Sequence, residues 1–349
     1  MARIHTGSWQ IRGLVGLMVV SIVAACGGDG GTATTVGGAD TTGAASETTA
    51  AGSETTAGAG GELTPLAVGV IPITDVVPLY VAIEEGLFEE AGLEVTPTLA
   101  EGGAAIIPGV EAGEFQIGFS NVVSLVNATA AGIQLQALTG GMKANEEAPD
   151  WSAVLVGADS DITDVTGLAG RTIAVNTLAN IGEVTIRASL DGQDVDTSGL
   201  QFIELGFPDM PAALADGQVE AIWVVEPFVT IATAEGAQVV DYNYIGTEPG
   251  MEIAAYFTTT EYAEANPDVI EAFVGAITAA EEMITADEQV ARDAVTTYTS
   301  LTPELAADIL FGPFTGSLDT ESITNTADLM VQYEVIEEVP DLTGLLGSG

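Results

Sequence analysis

Histidine, cysteine and basic residues are scarce in this sequence of 349 residues. It contains one histidine, one cysteine and six lysines and arginines, against 51 aspartates and glutamates. His5 and Cys26 both lie near the N-terminus, so the rest of the chain has neither residue type. This excludes Ser-His-Asp and Cys-His catalysis, zinc sites built on His or Cys, and disulfides there. Carboxylate chemistry and calcium binding remain open, but no EF-hand spacing, Walker loop or G-x-G-x-x-G is present. We therefore expect no catalytic residue, no metal site and no cofactor.

The strongly negative net charge excludes nucleic acid and anionic lipid as binding partners of this surface. Beyond Cys26 the chain carries 51 acidic side chains and only four basic ones, a formal charge of −47; the basic residues are Lys143, Arg171, Arg187 and Arg292. Such a surface repels nucleic acid and anionic lipid, so we expect no nucleic-acid partner. We interpret the charge as a solvated acidic coat, of a kind suited to a saline habitat, in preference to an acidic recognition surface.

The N-terminal segment has the pattern of an export signal. Basic residues precede an apolar stretch, 14–25, that is too short to cross a bilayer core of about 30 Å and fits a cleavable signal. It ends in Val23-Ala24-Ala25-Cys26, which resembles the bacterial lipobox, whose cysteine is acylated. The alternative is an ordinary signal peptide with an incidental cysteine. We predict a signal peptide over 1–25, lipidation at Cys26, and a location on the extracytoplasmic face of the cell membrane.

The residues after Cys26 divide into a linker and a folded part. Residues 26–62 are mostly Gly, Thr, Ala and Ser, which cannot bury a core, so we predict a disordered tether there. From residue 63, strand and helix patterns alternate. Two pairs of similar sequence positions are separated by nearly the same number of residues: Val70 precedes Val175 by 105 residues, and Gly113 precedes Gly217 by 104. This repetition predicts two lobes of similar βαβ architecture, followed by helices after about Tyr256.

Several short blocks carry a family resemblance over about residues 64–340. In chain order they are Pro78-Leu79-Tyr80-Val81-Ala82, Glu85-Gly86-Leu87-Phe88, Gly92-Leu93-Glu94-Val95, Ala112-Gly113-Glu114-Phe115-Gln116-Ile117-Gly118, Leu168-Ala169-Gly170-Arg171-Thr172-Ile173-Ala174-Val175, Ala215-Asp216-Gly217-Gln218-Val219-Glu220-Ala221 and Glu226-Pro227-Phe228. Their order and spacing resemble the solute-binding proteins of bacterial ABC importers, of the nitrate, sulfonate, taurine and thiamine-precursor type.

The resemblance implies an α/β, two-lobed fold of the periplasmic-binding-protein type II kind, each lobe a mostly parallel sheet flanked by helices. We predict lobe 1 over 63–155, lobe 2 over 156–245, and a return to lobe 1 over 246–349. The implied function is a monomeric receptor that closes on a small-molecule solute and delivers it to an ABC permease. The alternatives are an enzyme on the same fold that processes a thiamine- or menaquinone-type precursor, and a ligand-sensing adaptor.

The ligand site follows from strand geometry, because ligands of open parallel sheets bind beyond the carboxyl ends of the strands. These ends supply the predicted ligand-binding residues, to which Tyr256 is added for stacking: Ile73, Thr74, Asp75, Ser120, Asn121, Asn176, Thr177, Asn180, Glu226 and Tyr256. Some have structural alternatives, since Asp75, Ser120 and Asn180 fit helix caps. Trp223 is a further stacking candidate, and both it and Tyr256 also fit the core.

The charge of the ligand stays open at the level of the sequence. Asp75 and Glu226, if both face the cleft, oppose an anion and favour an amine or aminopyrimidine. Helix N-termini favour an anion or a carbonyl oxygen. We therefore expect a small organic solute of undetermined charge.

Overall fold

The computed structural model describes residues 62–347. The predicted signal peptide, Cys26 and the linker up to residue 61 lie outside the described residues. Within 62–347 the strands form two separate sheets of five strands each. In chain order the strands are β1 (Thr64–Val70), β2 (Leu93–Leu99), β3 (Ile117–Asn121), β4 (Leu135–Gly140), β5 (Ser152–Val156), β6 (Thr172–Val175), β7 (Gln201–Glu204), β8 (Ala221–Val225), β9 (Gln238–Asp241) and β10 (Ala254–Thr259).

Helices flank both sheets and fill most of the C-terminal third of the described residues. They are α1 (Val77–Glu84), α2 (Leu87–Glu90), α3 (Gly103–Glu111), α4 (Val122–Ala130), α5 (Ile181–Gly192), α6 (Met210–Ala215), α7 (Phe228–Ala234), α8 (Asn243–Thr247), α9 (Thr260–Ala265), α10 (Pro267–Ala286), α11 (Gln289–Tyr298), α12 (Pro303–Ala306), α13 (Thr320–Gln332) and α14 (Thr343–Leu346), with short 3-10 turns at Thr74–Val76, Val165–Leu168 and Phe207–Asp209.

The two sheets share one topology. The first has the strand order β2-β1-β3-β10-β4 and the second has the order β7-β6-β8-β5-β9. In each sheet the first three strands are parallel, and the fourth pairs antiparallel with both of its neighbours. Val70 and Val175 end the equivalent strands β1 and β6, and Gly113 and Gly217 lie shortly before the equivalent strands β3 and β8. The prediction of two mostly parallel sheets flanked by helices is confirmed.

The antiparallel strand of each sheet follows a crossover of the chain. The chain leaves the first sheet after β4 and enters the second at β5, then leaves it after β9 and returns at β10. The lobe boundary that we predict at residues 155/156 falls inside β5, which pairs with β8 over its whole length and with β9 from Val154 to Val156. Residues 152–155 are therefore members of the second sheet.

Local sequence chemistry explains the central strands and one helix break. All five residues of β5 and of β8 are buried, as expected for strands covered on both faces. The chain from Val77 to Glu90 forms two helices, α1 and α2. Gly86 separates them with a φ of 74°, a left-handed conformation that glycine adopts without steric cost. Among the described helices, none is long and apolar enough to cross a membrane.

Candidate functional site

A small cavity lies between the two sheets, at the carboxyl ends of their parallel strands. Its volume is about 30 Å³, room for one or two waters. Both lobes line it. The first lobe contributes Ile71, Ile73, Asp75, Phe119, Asn121, Ile253 and Ala254, and the elements of the second lobe and its crossovers contribute Trp151, Asn176, Ile181, Phe207, Trp223, Val225 and Tyr244. A solute larger than water therefore needs a wider space between the lobes than this arrangement leaves.

Aromatic side chains form one wall of this cavity. The ring of Trp223 lies 5.5 Å from that of Phe207 and 6.2 Å from that of Tyr244, which in turn lies 5.1 Å from the ring of Trp151. Both indole N–H groups already donate hydrogen bonds, Trp151 to the Lys143 carbonyl at 2.7 Å and Trp223 to Ser152 Oγ at 3.0 Å. The wall therefore presents ring surface and no indole donor.

Asp75 is the carboxylate in this cavity. It follows β1 in a 3-10 turn, and its side chain is 1% exposed. Oδ2 has no hydrogen-bond partner among the residues that the structure describes. Burial raises the pKa of Asp75 to about 8; the carboxylates of Asp150 and Glu252 add to the rise, and the backbone N–H of Asp75 opposes it. An unpaired carboxyl in such a place needs a donor or a proton.

Two asparagine amides complete the polar lining, one from each lobe. Asn121 is the N-cap of α4, where its Oδ1 accepts from the N–H of Ser124 at 3.0 Å. Its Nδ2 and the whole amide of Asn176 make no hydrogen bond within residues 62–347. Amides both donate and accept, so these groups fit a polar solute.

Direct hydrogen bonds join the lobes around the cavity. The N–H of Thr74 donates to the carbonyl of Glu226 at 3.1 Å, and Asn180 Nδ2 donates to Ser124 Oγ at 2.8 Å. The backbone of the first lobe also lies close to the second lobe here, because a Cβ on Gly102 would lie 3.1 Å from Thr177 Oγ1. Thr74, Thr177 and Asn180 thus belong to the contact between the lobes and do not line the cavity.

Glu226 lies away from the cavity, and its carboxylate is fully used by protein groups. Oε2 accepts from the N–H of Thr230 at 3.0 Å, and Oε1 accepts from Thr230 Oγ1 at 2.9 Å and from the N–H of Leu310 at 3.2 Å. Burial raises its pKa to about 7, against these bonds and the charge of Arg292. We predict Glu226 as a ligand contact, but these bonds give its carboxylate the geometry of a structural residue.

Two further predicted residues lie in the core beside the cavity. Tyr256, 0% exposed, packs on Phe119 and Phe273. Ser120 is buried against Gly103, where a Cβ would lie 2.7 Å from the Ser120 Cα. Of the predicted set, the structure brings Ile73, Asp75, Asn121 and Asn176 to the cavity.

Sequence reasoning missed most of the aromatic wall. Phe207 follows β7, so the carboxyl-end rule applied to that strand as well would have found it. Trp151 immediately precedes β5 in a crossover, and Tyr244 lies in the short helix α8. Neither position follows a strand of the parallel set, so the rule gives no signal for them.

No lysine or arginine lines the cavity, and each described cation is engaged elsewhere. Lys143 pairs with Asp319, Arg171 with Asp161 and Glu220, and Arg292 with Glu288. Arg187 donates to the Thr197 carbonyl and lies over the Phe202 ring. Within the described part of the chain no cluster of three or more His, Cys, Asp or Glu has the arrangement of a metal site.

Known proteins resemble this chain in sequence and in fold. It is 26% identical over 196 residues to a putative ABC transporter periplasmic binding protein of Brachyspira hyodysenteriae, covering 52% of this chain and 55% of that protein. It is 26% identical over 210 residues to a putative aliphatic sulfonates-binding protein of Bacillus subtilis, covering 56% and 59%. The chain thus spans less than two thirds of the length of these curated relatives.

A solved structure shows the same architecture. The periplasmic aliphatic sulphonate binding protein of Escherichia coli superposes with a TM-score of 0.68 over 81% of this chain and 97% of that one, at 18% sequence identity. The two-lobed periplasmic-binding-protein fold that the resemblance implied is therefore confirmed. The profile of the NMT1/THI5-like family matches residues 73–291, and the chain belongs to that family.

Proposed function

We propose that the protein is an extracytoplasmic solute receptor that delivers a small organic solute to an ABC permease. One observation carries this proposal: the cavity takes its lining from both lobes, and hydrogen bonds between the lobes surround it. A solute held there contacts both lobes, so its binding free energy favours the closed arrangement. One relative is named as a putative ABC transporter periplasmic binding protein and another as a putative aliphatic sulfonates-binding protein, which supports the same function.

The proposed ligand contacts are Ile73, Asp75, Asn121 and Asn176, with the aromatic wall. Thr74, Thr177 and Asn180 contribute through the contact between the lobes. The proposal includes no catalytic residue, because no histidine or cysteine occurs beyond Cys26 and the carboxylate in the cavity, Asp75, has no second carboxylate beside it in the lining.

The proposal also includes a lipid anchor at Cys26 and a monomeric state. The lipobox-like Val23-Ala24-Ala25-Cys26 and the Gly/Thr-rich segment after it support attachment through a tether. Expression of Cys26→Ser in a bacterial host with labelled palmitate tests the anchor. We expect label in the wild type and none in the variant, and label retained by the variant would contradict it.

Ligand screening tests the receptor function. A metabolite present at ten times its Kd stabilises the folded chain by about 1.4 kcal/mol, which a melting-temperature screen detects. Small-angle scattering then measures the radius of gyration with and without the hit, and we expect a smaller radius with ligand. A radius unchanged at saturation would contradict closure between the lobes. Binding of the loaded protein to its permease in membranes distinguishes an importer receptor from a sensing adaptor.

A further inference from the structure

The polar groups of the cavity indicate the charge of the solute that it binds. This inference rests on the proposed receptor function. The cavity holds a carboxyl, two amides and no cationic side chain. Asp75 is buried, and its Oδ2 lacks a partner among the described residues. Both indole N–H groups of the aromatic wall already donate hydrogen bonds to other protein atoms. The cavity therefore favours a solute with a donor, which can take the place of the proton that this carboxyl keeps when no solute is bound.

The helix N-termini beside the cavity do not reverse this preference. At α4, the N–H of Val122 donates to the Ile253 carbonyl and the N–H of Ser124 to its own N-cap, Asn121. At α5, the N–H of Ile181 donates to Asn180 Oδ1. These bonds use N–H groups that an anion at a helix N-terminus requires. A sulfonate or carboxylate would thus meet few free donors and one acidic side chain.

The wall adds a second feature that suits a cation. Trp151, Phe207, Trp223 and Tyr244 present their rings around one volume, and ring faces attract cationic groups while they also pack flat apolar bodies. We propose that the solute is a flat or compact organic cation whose N–H group donates to Asp75, and that this carboxyl excludes the anionic solutes named for the sulfonate-binding relatives. Asp75 is the specificity-determining residue.

A matched set of planar probes tests the proposal by calorimetry at pH 7.5 on the purified chain. Benzamidine is cationic, benzamide is its neutral isostere, and benzoate and benzenesulfonate are anions with the same ring. We expect benzamidine to bind at least about tenfold more tightly than each of the other three, the effect of a charge-assisted hydrogen bond. Tighter binding of either anion, or no benzamidine binding up to about 10 mM, overturns the proposal.

Variants identify the residue responsible. Asp75→Asn keeps the shape and is expected to remove the benzamidine preference, lowering its affinity about 10- to 100-fold while benzamide changes little. Asp241→Asn is the matched control, because Asp241 is also buried but lies at the end of β9 outside the cavity lining. Preference retained in Asp75→Asn overturns the assignment. The ranking in the wild type needs no variant, so misfolding of Asp75→Asn leaves the test decisive.

The two proposals fail in different ways. If a metabolite from the screen closes the lobes but is anionic, the receptor function stands and the role of Asp75 falls. If benzamidine binds through Asp75 and no ligand changes the radius of gyration, the charge preference stands and the closing receptor falls.

Discussion

At the scale of single residues, Asn121 combines a structural and a proposed binding role. Its Oδ1 caps α4 and its Nδ2 faces no protein acceptor in the described chain. Serine also caps helices, so Asn121→Ser keeps the cap and removes the amide. Asn176 makes no side-chain hydrogen bond within 62–347, so its truncation leaves the fold intact. Substitutions at these two positions can therefore change the affinity for the solute without changing the stability of the fold.

We predict that Asn121→Ser and Asn176→Ala each weaken solute binding about 5- to 150-fold, the effect of about 1–3 kcal/mol for a lost buried hydrogen bond, with an unchanged melting temperature. Asn121→Ala should weaken binding equally and also lose about 1 kcal/mol of stability with the cap. Titration calorimetry and thermal melting measure the two effects. Normal affinity in both Asn121→Ser and Asn176→Ala would contradict the cavity as the binding site.

Asp75 also couples pH to stability. Its pKa is about 8 in the folded chain against 3.8 as an ordinary Asp, so the folded state binds more protons than the unfolded state between these values. Its stabilising effect is present below about pH 4 and is lost as the pH rises through about 8. The carboxylates of Asp150 and Glu252 repel that of Asp75. They titrate in the same pH range, because burial raises their pKa values to about 6 and about 7. Tyr244 is uncharged here, because burial raises its pKa well above 10.

We predict that the melting temperature of the solute-free protein falls between pH 5 and pH 8.5, and that Asp75→Asn falls less steeply. Calorimetric melts across this range measure both slopes. Asp159→Asn, at an exposed position, serves as the control and should follow the wild type. Parallel slopes in Asp75→Asn and the wild type would show that Asp75 does not hold a proton in the folded chain.

At the scale of elements, the start of α5 is joined to α4 of the opposite lobe. Asn180 donates to Ser124 Oγ in a buried hydrogen bond, and Gly182 lets α5 lie directly on Trp223, because a Cβ there would be 2.5 Å from the ring. The contact between the helices therefore exists only while the lobes are closed.

We predict that Ser124→Ala shifts the solute-free protein toward open lobes. The variant leaves Asn180 Nδ2 buried without a partner in the closed state, and water satisfies it in the open state, so the closed population falls about 5- to 150-fold. Because the solute binds the closed state, calorimetry should show its affinity weakened by the same factor. Thr129→Ala is the control, since the Thr129 hydroxyl bonds within α4 to the Leu125 carbonyl. Equal affinities in all three proteins would contradict the role of this bond.

At the scale of the whole molecule, the charge acts against compactness. The formal net charge is −45, and the described cations are few: three form ion pairs, and Arg187 donates to a backbone carbonyl. Self-repulsion is screened at a Debye length of about 10 Å at 0.1 M salt and about 3 Å at 1 M. We predict a melting temperature that rises from low salt to molar sodium chloride. A flat response would show that the carboxylates are spaced too widely to repel one another measurably.

Most of the architecture followed from the sequence, because it depends on local pattern. Buried strands such as Thr172–Val175 alternate with helices that begin at Asn, Asp or Pro and end near Gly, and these signals act over a few residues. The recurrence of similar sequence positions about 105 residues apart predicted the second sheet. The scarcity of His, Cys and basic residues restricted the chemistry before any fold was known. Asp75, Asn121 and Asn176 were found because strand ends in a parallel sheet converge.

Only the tertiary structure decided which of these polar groups remain free. Glu226 and Asp75 are equivalent in sequence terms, since each is an acid after a buried strand. The structure gives the Glu226 carboxylate three hydrogen bonds and leaves Asp75 Oδ2 with none in the described chain. Likewise, Trp151 and Tyr244 reach the cavity from a crossover and a short helix. Such outcomes depend on contacts between residues far apart in sequence, which local periodicity does not predict.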